Sequence, residues 1–139
     1  MFKAKPPNRR SLTVTAICRD ASTLEALRSY LDRRVSYRAV VALSQATREP
    51  MASDCVLLYP DEFPSRSVQR LAKRLISNPT VSLVIIVTAS PPSEYQTLDR
   101  ARGSSNRLIV LSLPVWPWTL FATIESSLPS FRREGARLG

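Results

Sequence analysis

The chain has 139 residues, 44% of them hydrophobic and 22% charged, with a formal net charge of +9. That is enough for one domain with a sizeable core and too apolar for wholesale disorder. It holds no histidine and only two cysteines, which excludes His-based acid/base chemistry, His-assisted nucleophiles and His-ligated metals, and leaves neither a disulfide framework nor a CxxC metal pattern.

The charge is unevenly placed. Residues 1–10 hold four cations and residues 129–139 hold three against one acid, so two basic tails carry +6 and the body, residues 11–128, only +3. The opening residues MFKAKPPNRR lead into no apolar signal region, and no apolar stretch approaches the roughly 18 residues of a membrane span. A cytoplasmic protein with no membrane contact is expected. Arginine outnumbers lysine 17 to 3, a bias attributed first to a GC-rich bacterial genome.

In chain order, the first strand is expected over Leu12–Cys18, one of five apolar, β-branched runs, most of them continuous as suits strands covered on both faces. A helix follows over Asp20–Arg34, capped by Asp20 or Ser22, with Leu24, Leu27 and Leu31 as its apolar stripe. The second strand is placed at Tyr37–Leu43, and Gln45–Ser53 leaves room for a short second helix at best. The third strand is Cys55–Tyr59; Cys18 and Cys55 both read as small buried hydrophobes.

The third helix is expected over Ser65–Ser77, with Val68, Leu71, Leu75 and Ile76 inward, Arg66, Arg70, Lys73 and Arg74 outward, and Asn78-Pro79 as its stop. The fourth strand is Val81–Thr88. A weakly apolar helix over Ser93–Arg102, entered through Pro91-Pro92, ends at Gly103, and the fifth strand is Leu108–Leu113. The last helix begins near Pro117, runs through Leu120, Phe121, Ile124 and Leu128, and ends at Pro129. Strict β-α alternation with short connections predicts a doubly wound, five-stranded parallel sheet flanked by helices, with any ligand site at the carboxyl ends of the strands.

The order and spacing of these elements, with a third strand reading Asp54-Cys55-Val56-Leu57-Leu58, a fourth closing in Thr88-Ala89 and a fifth in Leu113-Pro114, resemble the receiver domains of bacterial response regulators. The resemblance covers nearly the whole body and implies a flavodoxin-like strand order, 2-1-3-4-5. It also implies four chemical roles: a pair of carboxylates after the first strand that holds Mg²⁺, a phosphoacceptor Asp closing the third, a hydroxyl closing the fourth, and a Lys on the fifth.

Three of those roles are unfilled. Cys18 and Arg19 stand at the carboxylate pair, and a thiol and a guanidinium do not make the oxygen-rich site Mg²⁺ requires. Tyr59 stands at the phosphoacceptor, or Pro60 if the loop before Phe63-Pro64 holds one extra residue; neither forms an acyl phosphate. Leu113 replaces the Lys and loses its charge-assisted contact. Thr88 alone matches, and as a β-branched strand residue it equally suits bonding to nearby backbone. Asp61 and Glu62, on a turn after Pro60, are placed in solvent, and the Tyr59 ring is a candidate to fill the pocket. Phosphotransfer without metal or Lys lacks its charge stabilisation. The expectation is a degenerate, non-phosphorylatable pseudo-receiver with no cofactor and no metal.

A receiver without chemistry works by binding. The resemblance implies a partner or homodimer surface on the fourth helix, fifth strand and fifth helix, where Trp116, Trp118 and Phe121 cluster; a Trp is enriched in interface hot spots, but Trp118 equally suits the core. Val110 stands at the family's aromatic switch position, which predicts a fixed conformation. The alternative is a nucleic-acid-binding regulator using the tails and the Arg66, Arg70, Lys73, Arg74 face, which reads equally as a solvated face or a dock for an acidic protein. The only glycines are Gly103, Gly135 and Gly139, and Ser90 has no base beside it. No phosphate loop and no enzymatic activity are expected.

Overall fold

The computed structural model of the chain describes residues 12–48, 53–90, 95 and 108–128. The elements are β1 (Thr13–Ile17), α1 (Ala21–Leu31), β2 (Ser36–Val40), α2 (Leu43–Arg48), β3 (Cys55–Leu58), a 3-10 turn (Pro60–Glu62), α3 (Ser65–Ser77), β4 (Leu83–Thr88), β5 (Leu108–Ser112) and α4 (Pro117–Ser127). The strands form one parallel sheet in the order β2-β1-β3-β4-β5, the doubly wound arrangement the alternation predicts. Both basic tails and the helix expected over residues 93–102 lie outside the described residues, apart from the buried, helical Tyr95.

Burial follows strand position. β3 and β4 are buried at every residue, and β1 at all but its first, because helices cover both faces of the central strands. The edge strands differ: β2 buries only Val40 and β5 only Leu108. Alternate residues point to opposite faces, which divides the core in two. Ile17, Val56, Leu58, Val84 and Ile86 pack with Val68, Leu71, Leu75 and Ile76 of α3, while Val14, Ala16, Leu57, Ile85 and Val87 pack with Leu27 and Leu31 of α1 and Leu120 and Ile124 of α4. Each fully buried Leu or Ile contributes about 1.5–3 kcal/mol against exposure.

Local chemistry fixes the boundaries. Asp20 caps α1, its Oδ2 accepting from the Thr23 N–H at 2.9 Å and hydroxyl at 2.6 Å. β2 ends three residues short of the expected Leu43, because the Ala42 carbonyl accepts from the Gln45 and Ala46 N–H groups and opens α2. The bounds of α3 coincide with the expected ones; its apolar stripe is buried and Asn78, whose Oδ1 accepts from the Thr80 N–H and hydroxyl, carries the chain out of it. Pro117 opens α4, where its missing N–H costs no helix bond. Cys18 and Cys55 are free and buried, as the apolar runs predict.

Candidate functional site

The chain order reverses between β1 and β3, so the carboxyl ends of β1, β3 and β4 meet at the topological switch point, where doubly wound sheets place their ligands. Three segments converge there: Cys18-Arg19-Asp20 after β1, Tyr59 to Glu62 after β3, and Thr88-Ala89-Ser90 after β4.

The 3-10 turn after β3 ties its two neighbouring strands together through its acidic side chains. Glu62 Oε1 accepts from the Arg19 N–H at 2.6 Å and the Asp20 N–H at 3.0 Å, and the Cys18 thiol approaches it at 3.5 Å. Asp61 spans the other side: its Oδ1 accepts from the Thr88 hydroxyl at 2.6 Å and its Oδ2 from the Ala89 N–H at 2.8 Å. The Thr88 oxygen in turn accepts from the Ser90 N–H at 3.0 Å, so this buried hydroxyl has a partner in each direction. Three main-chain N–H groups and one hydroxyl, a ready cradle for an anion, are therefore already held by two carboxylates of the same chain.

The placement of Asp61 and Glu62 in solvent holds for their exposure but not for their lack of partners. The turn is accessible, with Asp61 exposed and Glu62 half-buried, yet both carboxylates point back onto the strand ends because unpaired N–H donors there offer charge-assisted bonds. The Tyr59 ring, expected to fill the pocket, lies close to Cys18 and Glu62 of these strand ends. Tyr59 is 5% exposed and packs in the core beneath α1 and α4, where burial pushes its hydroxyl pKa up.

Arg19 serves the site through its N–H; its side chain is exposed. Leu113, 42% exposed, donates its N–H to the Thr88 carbonyl at 3.1 Å and precedes a cis peptide bond to Pro114. Val110 packs half-buried on the α3 side.

Mg²⁺, which the receiver fold brings to mind, does not fit these residues. Burial pushes the Cys18 thiol pKa up to about 12, so it is a neutral S–H at physiological pH. The Asp20 carboxylate is committed to Thr23, whose hydroxyl and N–H hold its pKa below the ordinary value. Among the described residues, no three His, Cys, Asp or Glu side chains gather as a cation site.

A second feature lies on the α1 and α4 side. Trp116 and Trp118 stack with ring centroids 5.4 Å apart and planes within 6°, and they are 57% and 54% exposed. Tyr30 of α1 meets Trp118 edge-on at 6.3 Å and Phe121 at 6.2 Å, and the Arg34 guanidinium sits 3.9 Å above the Tyr30 ring. Trp118 is thus a surface residue, resolving the choice the sequence left open. The platform is built with α1, a partner the sequence reading did not assign; the expected fourth-helix part of that face is outside the described residues. The signal for Tyr30 was its place three residues after Leu27 on the apolar side of α1. Arg66, Arg70, Lys73 and Arg74 are exposed together on α3, behind the opposite face of the sheet.

The sequence matches no protein-family model and no curated protein. Solved structures do match. The signal receiver domain of a Luxo repressor protein from Vibrio parahaemolyticus aligns with a TM-score of 0.67 at 17% identity, covering 94% of this chain and 98% of that one. The chemotaxis response regulator CheY4 of Vibrio cholerae aligns at 0.65 and 17%, covering 85% and 99%. Response regulator DrrB, a Thermotoga maritima OmpR/PhoB homologue, aligns at 0.64 and 16% over 86% of this chain; the chain spans about half of that protein, 54% of its length. Together with the parallel 2-1-3-4-5 sheet, these similarities establish that the chain has the CheY-like receiver fold.

Proposed function

We propose that the chain is a pseudo-receiver: a signalling module of the two-component type that works by binding a protein partner and not by accepting phosphate. The observation that carries this reading is the occupation of the anion cradle by Asp61 and Glu62, whose carboxylates take the Thr88 hydroxyl and the Arg19, Asp20 and Ala89 N–H groups. An incoming phosphoryl group would have to displace a carboxylate from each donor it uses, and it would meet no Lys on β5, where Leu113 follows the last strand residue. Like charges in the cradle raise the barrier further. The residues Cys18, Arg19, Tyr59 and Leu113 supply neither metal ligation nor charge stabilisation.

With the strand ends tied by the turn, a single conformation is presented to partners. The stacked Trp116 and Trp118, with Phe121 beside them, supply aromatic anchors of the kind that dominate interface energetics. The test is incubation with acetyl phosphate and Mg²⁺ followed by intact-mass measurement. The mass is expected to stay unchanged; a hydroxylamine-labile phosphate adduct, on Asp61 or any other carboxylate, overturns the proposal.

A further inference from the structure

We infer that the outward face of α3 binds nucleic acid through its phosphate backbone. This rests on side chains that take no part in the hydrogen bonds of the switch-point site and stands whether or not that site accepts phosphate. Arg66, Arg70, Lys73 and Arg74 recur at helical spacing on one side of α3, and all four are exposed. α3 contains no acidic residue, and none of the four cations has an ion-pair partner among the described residues. The cations repel one another along the helix: 66 and 70, and 70 and 74, are like charges four residues apart and 70 and 73 three apart; the helix macrodipole opposes Arg66 in the first turn and favours Arg74 in the last. A polyanion lying on this face relieves each of these repulsions at once.

The composition of the face selects nucleic acid over an acidic protein. Every exposed position of α3 is Ser65, Arg66, Ser67, Arg70, Lys73, Arg74 or Ser77, with the half-buried Gln69 beside them. Protein interfaces are organised around a desolvated, apolar or aromatic centre, and this face has none. Interfaces with nucleic acid are polar and strongly cationic, with most hydrogen bonds going from Arg, Lys, Ser and Gln to phosphate oxygens. Three of the four cations are Arg, whose planar fork matches a phosphate in bidentate fashion. No side chain here is set up to read base edges, so the binding is expected to be independent of sequence. Because α3 and the tryptophan platform lie behind opposite faces of the sheet, nucleic acid and a protein partner can be held together.

The experiment is fluorescence anisotropy of a labelled random-sequence DNA duplex of about 20 base pairs with the full chain, across a fourfold range of salt. The wild type is compared with the combined variant Arg66→Gln, Arg70→Gln, Lys73→Gln, Arg74→Gln. At about 0.9 per phosphate contact, loss of four contacts lowers the slope of log K against log salt by about 3 to 4, so the wild type loses roughly 100-fold more affinity than the variant over that range. Removing like charges leaves the helix no less stable, and circular dichroism of the variant checks that it folds. Arg66→Lys, Arg70→Lys, Arg74→Lys is expected to keep the wild-type slope. An unchanged slope in the glutamine variant, with binding carried by residues elsewhere, overturns the inference. So does dependence of poly-glutamate binding, and not duplex binding, on these four side chains.

Discussion

Removing the Glu62 carboxylate strips the Arg19 and Asp20 N–H groups of their shared acceptor, held at 2.6 and 3.0 Å. A net hydrogen bond to a charged group contributes about 1.5–3 kcal/mol when shielded and nearer 0.5–1.5 when water can replace the partner. Both donors face solvent, so the lower range applies, and Glu62→Ala is expected to cost about 1–2 kcal/mol. At this chain length that corresponds to a fall of about 3–8 °C in Tm.

Asp61→Ala removes the acceptor of the Thr88 hydroxyl and the Ala89 N–H and is expected to cost a similar amount. Because both side chains anchor one three-residue turn, the second loss finds the turn already loosened, and the double variant should cost less than the sum of the two. Urea melts of wild type, both single variants and the double variant, analysed with a common m-value, measure the cycle. Glu62→Gln, which retains one acceptor oxygen, should fall between wild type and Glu62→Ala. A double variant within about 0.5 kcal/mol of wild type would refute the claim that these carboxylates hold the strand ends together.

Trp116→Ala with Trp118→Ala should leave stability within about 1 kcal/mol, since both rings are more than half exposed, yet abolish retention of the protein partner in a pull-down; partner retention at wild-type levels refutes the platform's role. Ile86→Ala, deep in the α3-side core, is expected to cost about 2–5 kcal/mol in the same urea melts. Asp20 has its pKa lowered in the folded state, so its contribution is present above the ordinary carboxylate range and lost as pH falls through the folded value; Asp20→Asn should flatten the acid limb of the stability-pH profile. Cys18 behaves oppositely. Its folded pKa is raised to about 12, so its contribution is full below the ordinary thiol value and declines as pH rises toward about 12; slow thiol modification at pH 8, accelerating only on unfolding, is the expected signature.

The sheet was legible because continuous apolar runs such as Val84 to Val87 have one comfortable solution, a strand covered on both faces. α3 was legible to the residue because its apolar stripe, its cationic face and Asn78-Pro79 agree on the same bounds. The ends of β2 were not, since an edge strand is held by fewer neighbours and the competing Ala42 turn decides where it stops.

The site was half-legible. The sequence reading set Cys18, Arg19, Tyr59 and Leu113 against the residues that the resemblance to receivers implies. It did not foresee that Asp61 and Glu62 bridge the strand ends, because the donors that fix them are mostly main-chain N–H groups, 28 residues away at Ala89 and 43 at Arg19, and an N–H carries no residue signature. Two adjacent acids immediately after the central strand at the switch point were the available signal. Pro60 in sequence suits a turn toward solvent, whereas the 3-10 turn it starts brings both carboxylates back over the strand ends. The tryptophan platform was legible as a pair in sequence, while its support on Tyr30 depends on how α1 and α4 pack.

The sharpest test is an amide ¹H–¹⁵N spectrum of the uniformly labelled chain, titrated with beryllofluoride in the presence of Mg²⁺. If the cradle is filled by the chain's own carboxylates, the amide signals of Arg19, Asp20 and Ala89 stay where they are. Saturable shifts of those three signals in the wild type would mean that the cradle opens to a phosphoryl mimic, and the account of a self-occupied site would be wrong.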